Sequence, residues 1–170
     1  MLKLRPLTID DKDALVNYLN DASVTQYLSS NIPSPYTQED AIWFITKGSL
    51  ENAMVRAIER NGKLCGVIGV YLKQAEYAHS AEIGYWIGKK FWQQGIATTA
   101  VKLFVDDIFS KTQISRIYNP VTSANIGSIR VMEKAGFVRE GVLKQSVKHQ
   151  GKLYDEYFYA ITKTFKSEGD

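Results

Sequence analysis

Two stretches of this 170-residue chain carry residue types and spacings that could do chemistry. The first is FWQQGIATTA at residues 91–100, where Gly95 stands immediately before a run that reads as the first turns of a helix. The alternating segment AEIGYWIG at residues 81–88 precedes it, so the local order is strand, short loop, helix. At such a junction the first helical N–H groups lack intrahelical partners and the positive end of the helix dipole points the same way. Both favour an anion, and the loop is predicted to bind a pyrophosphate. A Walker-type loop is excluded because no lysine followed by serine or threonine comes after Gly95, and a dinucleotide-fold loop because no further glycines stand at its spacing. A plain glycine turn before a surface helix is the bland alternative.

The second stretch is NIGSIRVMEKAGF at residues 125–137. Ser123 or Asn125 can cap a helix there, Ile129, Met132 and Ala135 recur on one face, and Gly136 can take the left-handed conformation that ends it. In this order the two stretches resemble the GCN5-related N-acetyltransferase (GNAT) family. The loop resembles that family's acetyl-CoA loop, Gln/Arg-x-x-Gly-x-Gly/Ala, with Gly95 and Ala97 in its last two defined positions. Trp92 stands where Gln or Arg is usual, as in the branch resembling the ribosomal-protein N-acetyltransferases. Asn125, Ser128, Lys134, Gly136 and Phe137 match the family's later helix, and the resemblance runs from LRPLTIDD at residues 4–11 to the final strand.

The resemblance implies a single N-acetyltransferase domain over residues 1–170, of α/β (α+β) class, with a mixed, mostly antiparallel sheet of about seven strands and helices on both faces. It implies acetyl-CoA as co-substrate, no metal, and direct transfer of acetyl to a primary amine. That amine is a protein N-terminus, a ribosomal protein's included, or a small amine such as a polyamine or an amino-sugar antibiotic. Strands 81–87 and 115–121 are expected to splay and hold the pantetheine arm as an added strand. Expected cofactor contacts fall on Tyr85, Trp86 and Ile87, on Trp92, Gln93, Gln94, Gly95, Ile96, Ala97 and Thr98, and on Asn125 and Ser128.

Aminolysis of a thioester needs a neutral amine, a place for the oxyanion and a proton for the thiolate. The family tyrosine seven residues after the asparagine is Met132 here, so Ser128 is the expected proton donor, against the alternative that it only bonds helix backbone. Glu82, on the strand face opposite Ile83 and Tyr85, is the expected base, with an ion-pair role as the alternative, and a backbone N–H near Ile87 is assigned to the oxyanion. On the acceptor side stand Tyr36, in the proline-containing loop 29–37, and Tyr154, Asp155 and Glu156 of YDEYFY, whose alternation lets only one of the two acids face the amine. A non-catalytic acyl-CoA-binding module of the same fold, and a nucleotide-phosphate binder using only the glycine loop, are the competing readings.

Composition bounds the rest. With 45% hydrophobic and 23% charged residues the chain reads as a soluble globular protein. A net charge of +3 spread along the sequence offers no footprint for nucleic acid. No apolar run approaches a membrane span and the start lacks the apolar core of a signal peptide, which predicts a cytoplasmic protein; homodimerisation stays open. Cys65 is expected as a buried structural thiol, and His79 and His149 as exposed loop residues without metal spacing.

These residues must be carried by elements the pattern also predicts. Leu2 to Arg5 reads as a strand, and Thr8 with Asp11 as a capping box opening a helix to about Asn20. Thr37 caps a second helix with Ala41, Ile42, Phe44 and Ile45 as its apolar side. Strands 54–60 and 64–72 form a hairpin at Asn61-Gly62, followed by the strand from residue 81. Ala100, Val101, Phe104, Val105 and Ile108 form the core stripe of the helix after Gly95. The strand 115–121 is expected to break at Pro120, and strands 138–147 and 154–164 to join across Gln150-Gly151.

Overall fold

The computed structural model describes residues 1–164. Its elements in chain order are β1 (Leu2–Arg5), α1 (Lys12–Leu19), α2 (Ala22–Thr25), α3 (Gln38–Thr46), β2 (Ala53–Arg60), β3 (Lys63–Leu72), β4 (Ser80–Ile87), α4 (Ile96–Lys111), β5 (Arg116–Thr122), α5 (Ile126–Lys134), β6 (Val138–His149) and β7 (Lys152–Thr162). One seven-stranded sheet has the order β1-β2-β3-β4-β5-β7-β6, antiparallel throughout except between β4 and β5. Among the described residues the four-residue α2 is an α-helix that the sequence pattern does not predict.

Local chemistry places the turns. Asn61 and Gly62 both take positive φ, 53° and 77°, the combination a two-residue β2–β3 hairpin requires. Gln150 and Gly151 repeat it between β6 and β7, with φ of 50° and 76°. The capping boxes of Thr8 with Asp11 and of Thr37 with Asp40 both form, although the first opens a short 3-10 turn ahead of α1. Burial raises the Asp11 carboxyl, but the hydrogen bonds from Arg5 and Thr8 outweigh it and hold the group below its ordinary pKa.

Each face of the sheet carries its own core. On one, α4 and α5 lay Val101, Phe104, Ile108 and Met132 against Ile68, Ile83 and Ile117. On the other, α1 and α3 lay Leu15, Leu19, Ala41 and Ile45 against Val55, Ala57 and Val67. Cys65 is fully buried in the first core, where burial pushes its thiol pKa up.

Two expectations fail here. β5 runs unbroken through Pro120, paired with Phe158. The bonds from Ser123 N to Asp155 O and from Lys163 N to Ser115 O make the odd-numbered β5 residues the ones bonded to β7. Pro120 therefore turns its donorless nitrogen toward β4, which has already moved away, and no ladder bond is lost. His149 is half-buried at the end of β6, with Nε2 3.1 Å from Thr122 Oγ1 and its ring edge-on to Tyr27, whereas His79 is exposed as expected. Among the described residues no helix is long and apolar enough to cross a membrane, and no cluster of three His, Cys, Asp or Glu could hold a metal.

Candidate active site

The central opening follows from where β4 and β5 stop pairing. They share a register only over Ser80–Glu82 and Arg116–Tyr118. Gly88 N donates to Cys65 O at 2.8 Å, which fixes the alternation along β4: Glu82, Gly84 and Trp86 direct their backbone groups to β3, and Ile83, Tyr85 and Ile87 direct theirs to the β5 side. Across from them Pro120 and Thr122 face β4. The opening is thus edged by backbone on both sides, a geometry suited to an extended, amide-bearing ligand.

At the end of that opening stands the glycine turn. Gly95 is the N-cap of α4 with φ of 73°, a left-handed conformation natural to glycine, and a Cβ built on it would meet nothing within 4 Å. Gln93 also takes positive φ, 58°. Ile96, Ala97 and Thr98 form the first turn of a 16-residue helix, where N–H groups point outward without i−4 partners. Trp92, half-exposed, donates its indole N–H to Ile87 O at 2.7 Å, and Gln94 accepts from Arg60 while donating to Lys90 O at 3.0 Å. Side chains at Trp92 and Gln94 hold the turn; the anion-binding capacity lies in the backbone.

α5 supplies the second half. Asn125 is its N-cap, accepting from Ser128 N at 3.3 Å, and Gly136 ends it with φ of 90°. Met132 is fully buried and accepts from Asn119 Nδ2 at 3.6 Å, so the position seven residues after Asn125 belongs to the core. Ser128 Oγ lies 2.7 Å from the Tyr85 hydroxyl, which overturns the alternative of a serine bonded only to helix backbone. Burial pushes the Tyr85 phenol up to about 12 against the lowering effect of the Ser128 bond, so it is protonated at neutral pH. The sequence reading gave Tyr85 a backbone role alone; the signal it passed over was a tyrosine on the β4 face that turns toward α5.

A cavity of about 550 Å³ reaches through the opening. It draws Ile83, Tyr85, Asn125 and Ser128 from the α5 side and Glu82, Gly84 and Trp86 from the other, which is possible because the strands part. Tyr27, Leu28, Ile32 and Tyr36 from the segment before α3, with Trp43 and Phe44 of α3 itself, form its apolar, largely aromatic wall. Tyr36 is buried, which pushes its phenol up to about 12, and its backbone is held in both directions by Asn20. Glu82 lies 3.7 Å from Lys73, with both side chains more than a third exposed, 38% and 37%. Such a pair is worth at most about 1 kcal/mol, so the carboxylate is not committed to the fold.

Other expected site residues fall elsewhere. Trp86 packs its ring edge-on to Tyr18 and spends its backbone on Val67, so it walls the cavity and offers no backbone to a cofactor. Asp155 accepts from Gln145 N at 2.9 Å and Lys144 Nζ at 3.2 Å, on the sheet face away from Glu82, where it closes the irregularity in β6 between Leu143 and Val147. That task, rather than the amine, explains its position. Tyr154 stacks obliquely beside His149, and Glu156 pairs across from Thr122 on the Glu82 face; neither lines the cavity.

The acetyltransferase (GNAT) domain family matches residues 1–138. A Bacillus licheniformis protein named as an uncharacterized N-acetyltransferase, p20, is 32% identical over 169 residues, 95% of this chain and 93% of its own. A Bacillus anthracis GNAT-family acetyltransferase crystal structure superimposes with a TM-score of 0.80 at 29% identity, covering 95% of this chain and 94% of its own. RimL, a ribosomal L7/L12 α-N-protein acetyltransferase solved with coenzyme A, superimposes with a TM-score of 0.84 at 23% identity over 95% and 93% of the two chains.

Proposed function

The chain belongs to the GNAT acetyltransferase family, and from that premise we propose that it passes the acetyl group of acetyl-CoA directly to a primary amine seated between Glu82 and Ser128. One observation supports the reading: a single cavity is lined both by a hydroxyl, Ser128, from the face of α5 and by a carboxylate, Glu82, from the opposite face. The Gly95 turn and the first turn of α4 hold the pyrophosphate, the Tyr85 backbone and the Ile87 N–H pair with the pantetheine arm, and a β4 N–H donates to the oxyanion. Glu82 takes the proton of the incoming amine, directly or through water, and Ser128 protonates the departing thiolate.

The cavity also ranks the acceptors. Its lining contains two carboxylates, Asp40 and Glu82. Asp40 accepts the Thr37 backbone N–H and hydroxyl at 2.8 Å, both on Oδ2, so its orientation is set by the α3 cap, and Glu82 is the cavity carboxylate not tied to a fold element. An aromatic wall with one available carboxylate suits a single ammonium on an apolar body, as at a protein N-terminus or in a small monoamine.

Thiol release from acetyl-CoA, measured against N-terminal peptides, monoamines and spermidine, tests this. The expected outcome is turnover with a peptide or monoamine and little with spermidine. Fastest turnover with spermidine would overturn the ranking, and acetyl-CoA binding with no release for any amine would favour a non-catalytic acyl-CoA module.

A further inference from the structure

We propose that Tyr85 is the positioning residue of Ser128: its hydroxyl donates to Ser128 Oγ, turns the serine O–H toward the β4–β5 opening, and follows with its own proton as the serine protonates the thiolate. The inference rests on the acetyltransferase reading above and goes beyond it by assigning the proton's source.

Three observations carry it. The hydroxyls lie 2.7 Å apart, and each is positioned independently, Tyr85 by its place opposite Ile68 in β4, whose neighbours Gly84 and Trp86 bond to β3, and Ser128 by its N–H on Asn125 Oδ1. Met132, buried in the core, leaves α5 without a phenol of its own, so the phenol reaches the serine from the neighbouring strand. Both residues line the cavity that also holds Glu82.

Chemistry fixes the direction of the bond. A phenol is a far stronger acid than an aliphatic alcohol and is the better donor. A hydroxyl has one proton and two lone pairs, so a serine accepting from Tyr85 keeps its proton for another partner. In the transfer, the amine nitrogen bonds to the acyl carbon and the carbon–sulfur bond breaks, leaving both electrons on sulfur. Sulfur takes the Ser128 proton, the serine oxygen takes the Tyr85 proton, and the phenolate recovers one from water while the amine's proton leaves through Glu82. Without Tyr85 the step would leave an alkoxide, which is much more basic than the phenolate.

The test is a double-mutant cycle, Tyr85→Phe, Ser128→Ala and both together, in the thiol-release assay. Tyr85→Phe should lower kcat about tenfold or more with the KM for acetyl-CoA within about twofold, and add nothing in the Ser128→Ala background. Equal cost in both backgrounds, or an unchanged kcat in Tyr85→Phe, overturns the proposal. A slow Tyr85→Phe beside a full-rate Ser128→Ala overturns it too while sparing the acetyltransferase reading; no turnover by the wild type with any amine sinks both. Should Tyr85→Phe lose its fold, a proton inventory on the wild-type enzyme decides: two protons in flight support the relay, and one refutes it.

Discussion

The two faces of the sheet meet at one opening, and they contribute to it by different means. On the α4–α5 face the candidate groups are contiguous in sequence: residues 92–98 form the turn proposed to hold the pyrophosphate, and Asn125 and Ser128 share one helical turn. On the α3 face the cavity wall is gathered from Tyr27, Tyr36, Trp43, Tyr71, Glu82 and Trp86, which lie in four separate segments: the one before α3, α3 itself, β3 and β4. The first face relies on backbone dipoles and short-range caps, so its geometry is fixed by local conformation. The second relies on side-chain packing, so the same fold can carry many different walls. A common donor and a particular acceptor would call for that division.

Substitutions on the two faces should differ in what they change. The largest expected effect is on the first face, where Ser128→Ala should lower kcat about a hundredfold with little change in acetyl-CoA affinity, since a lost neutral hydrogen bond costs only about 1 kcal/mol. Steady-state kinetics with a working acceptor checks it, and near-wild-type turnover would make the serine structural.

Gly95→Val comes next. Open space surrounds the position, so the cost comes from forcing a β-branched residue to a φ of 73° rather than from a clash with the protein. A loss of about 2 kcal/mol, shared between a lower Tm and weaker acetyl-CoA binding, is the expected scale. Calorimetric titration of a folded variant with unchanged affinity would remove the turn from the site.

On the second face Glu82→Gln should reduce kcat about tenfold, leave acetyl-CoA affinity nearly constant, and shift or erase the acidic limb of the rate profile. Because its pair with Lys73 is solvent-screened, Tm should hardly move. A full-rate variant with an unchanged profile would hand the proton to bulk water.

The smallest effect belongs to Asp155→Asn, which should leave kcat within about twofold. The backbone N–H of Gln145, followed by Lys144, holds this carboxyl below its ordinary pKa. Its contribution to stability is therefore present above the unfolded-state value and lost as pH falls through the folded one. The variant should flatten the acid side of a Tm-against-pH curve, and a large loss of turnover would place Asp155 back at the acceptor.

Whatever local conformation controls could be read from the residues alone. Asn61-Gly62 dictates its hairpin, Gly95 the entry to α4, Asn125 and Gly136 the two ends of α5, and the Ala100 to Ile108 stripe its buried face, because in each case the information lies within a few residues of where it acts. Tertiary structure decided whatever depends on two distant segments arriving at one point. Alternation alone let either Asp155 or Glu156 face the amine, and the irregularity in β6 claimed Asp155. Pro120 reads as a strand breaker until the parting of β4 makes its missing donor harmless. The contact between Tyr85 and Ser128, 43 residues apart, exists because a strand and a helix pack against each other across the sheet, and no periodicity within either element encodes that distance.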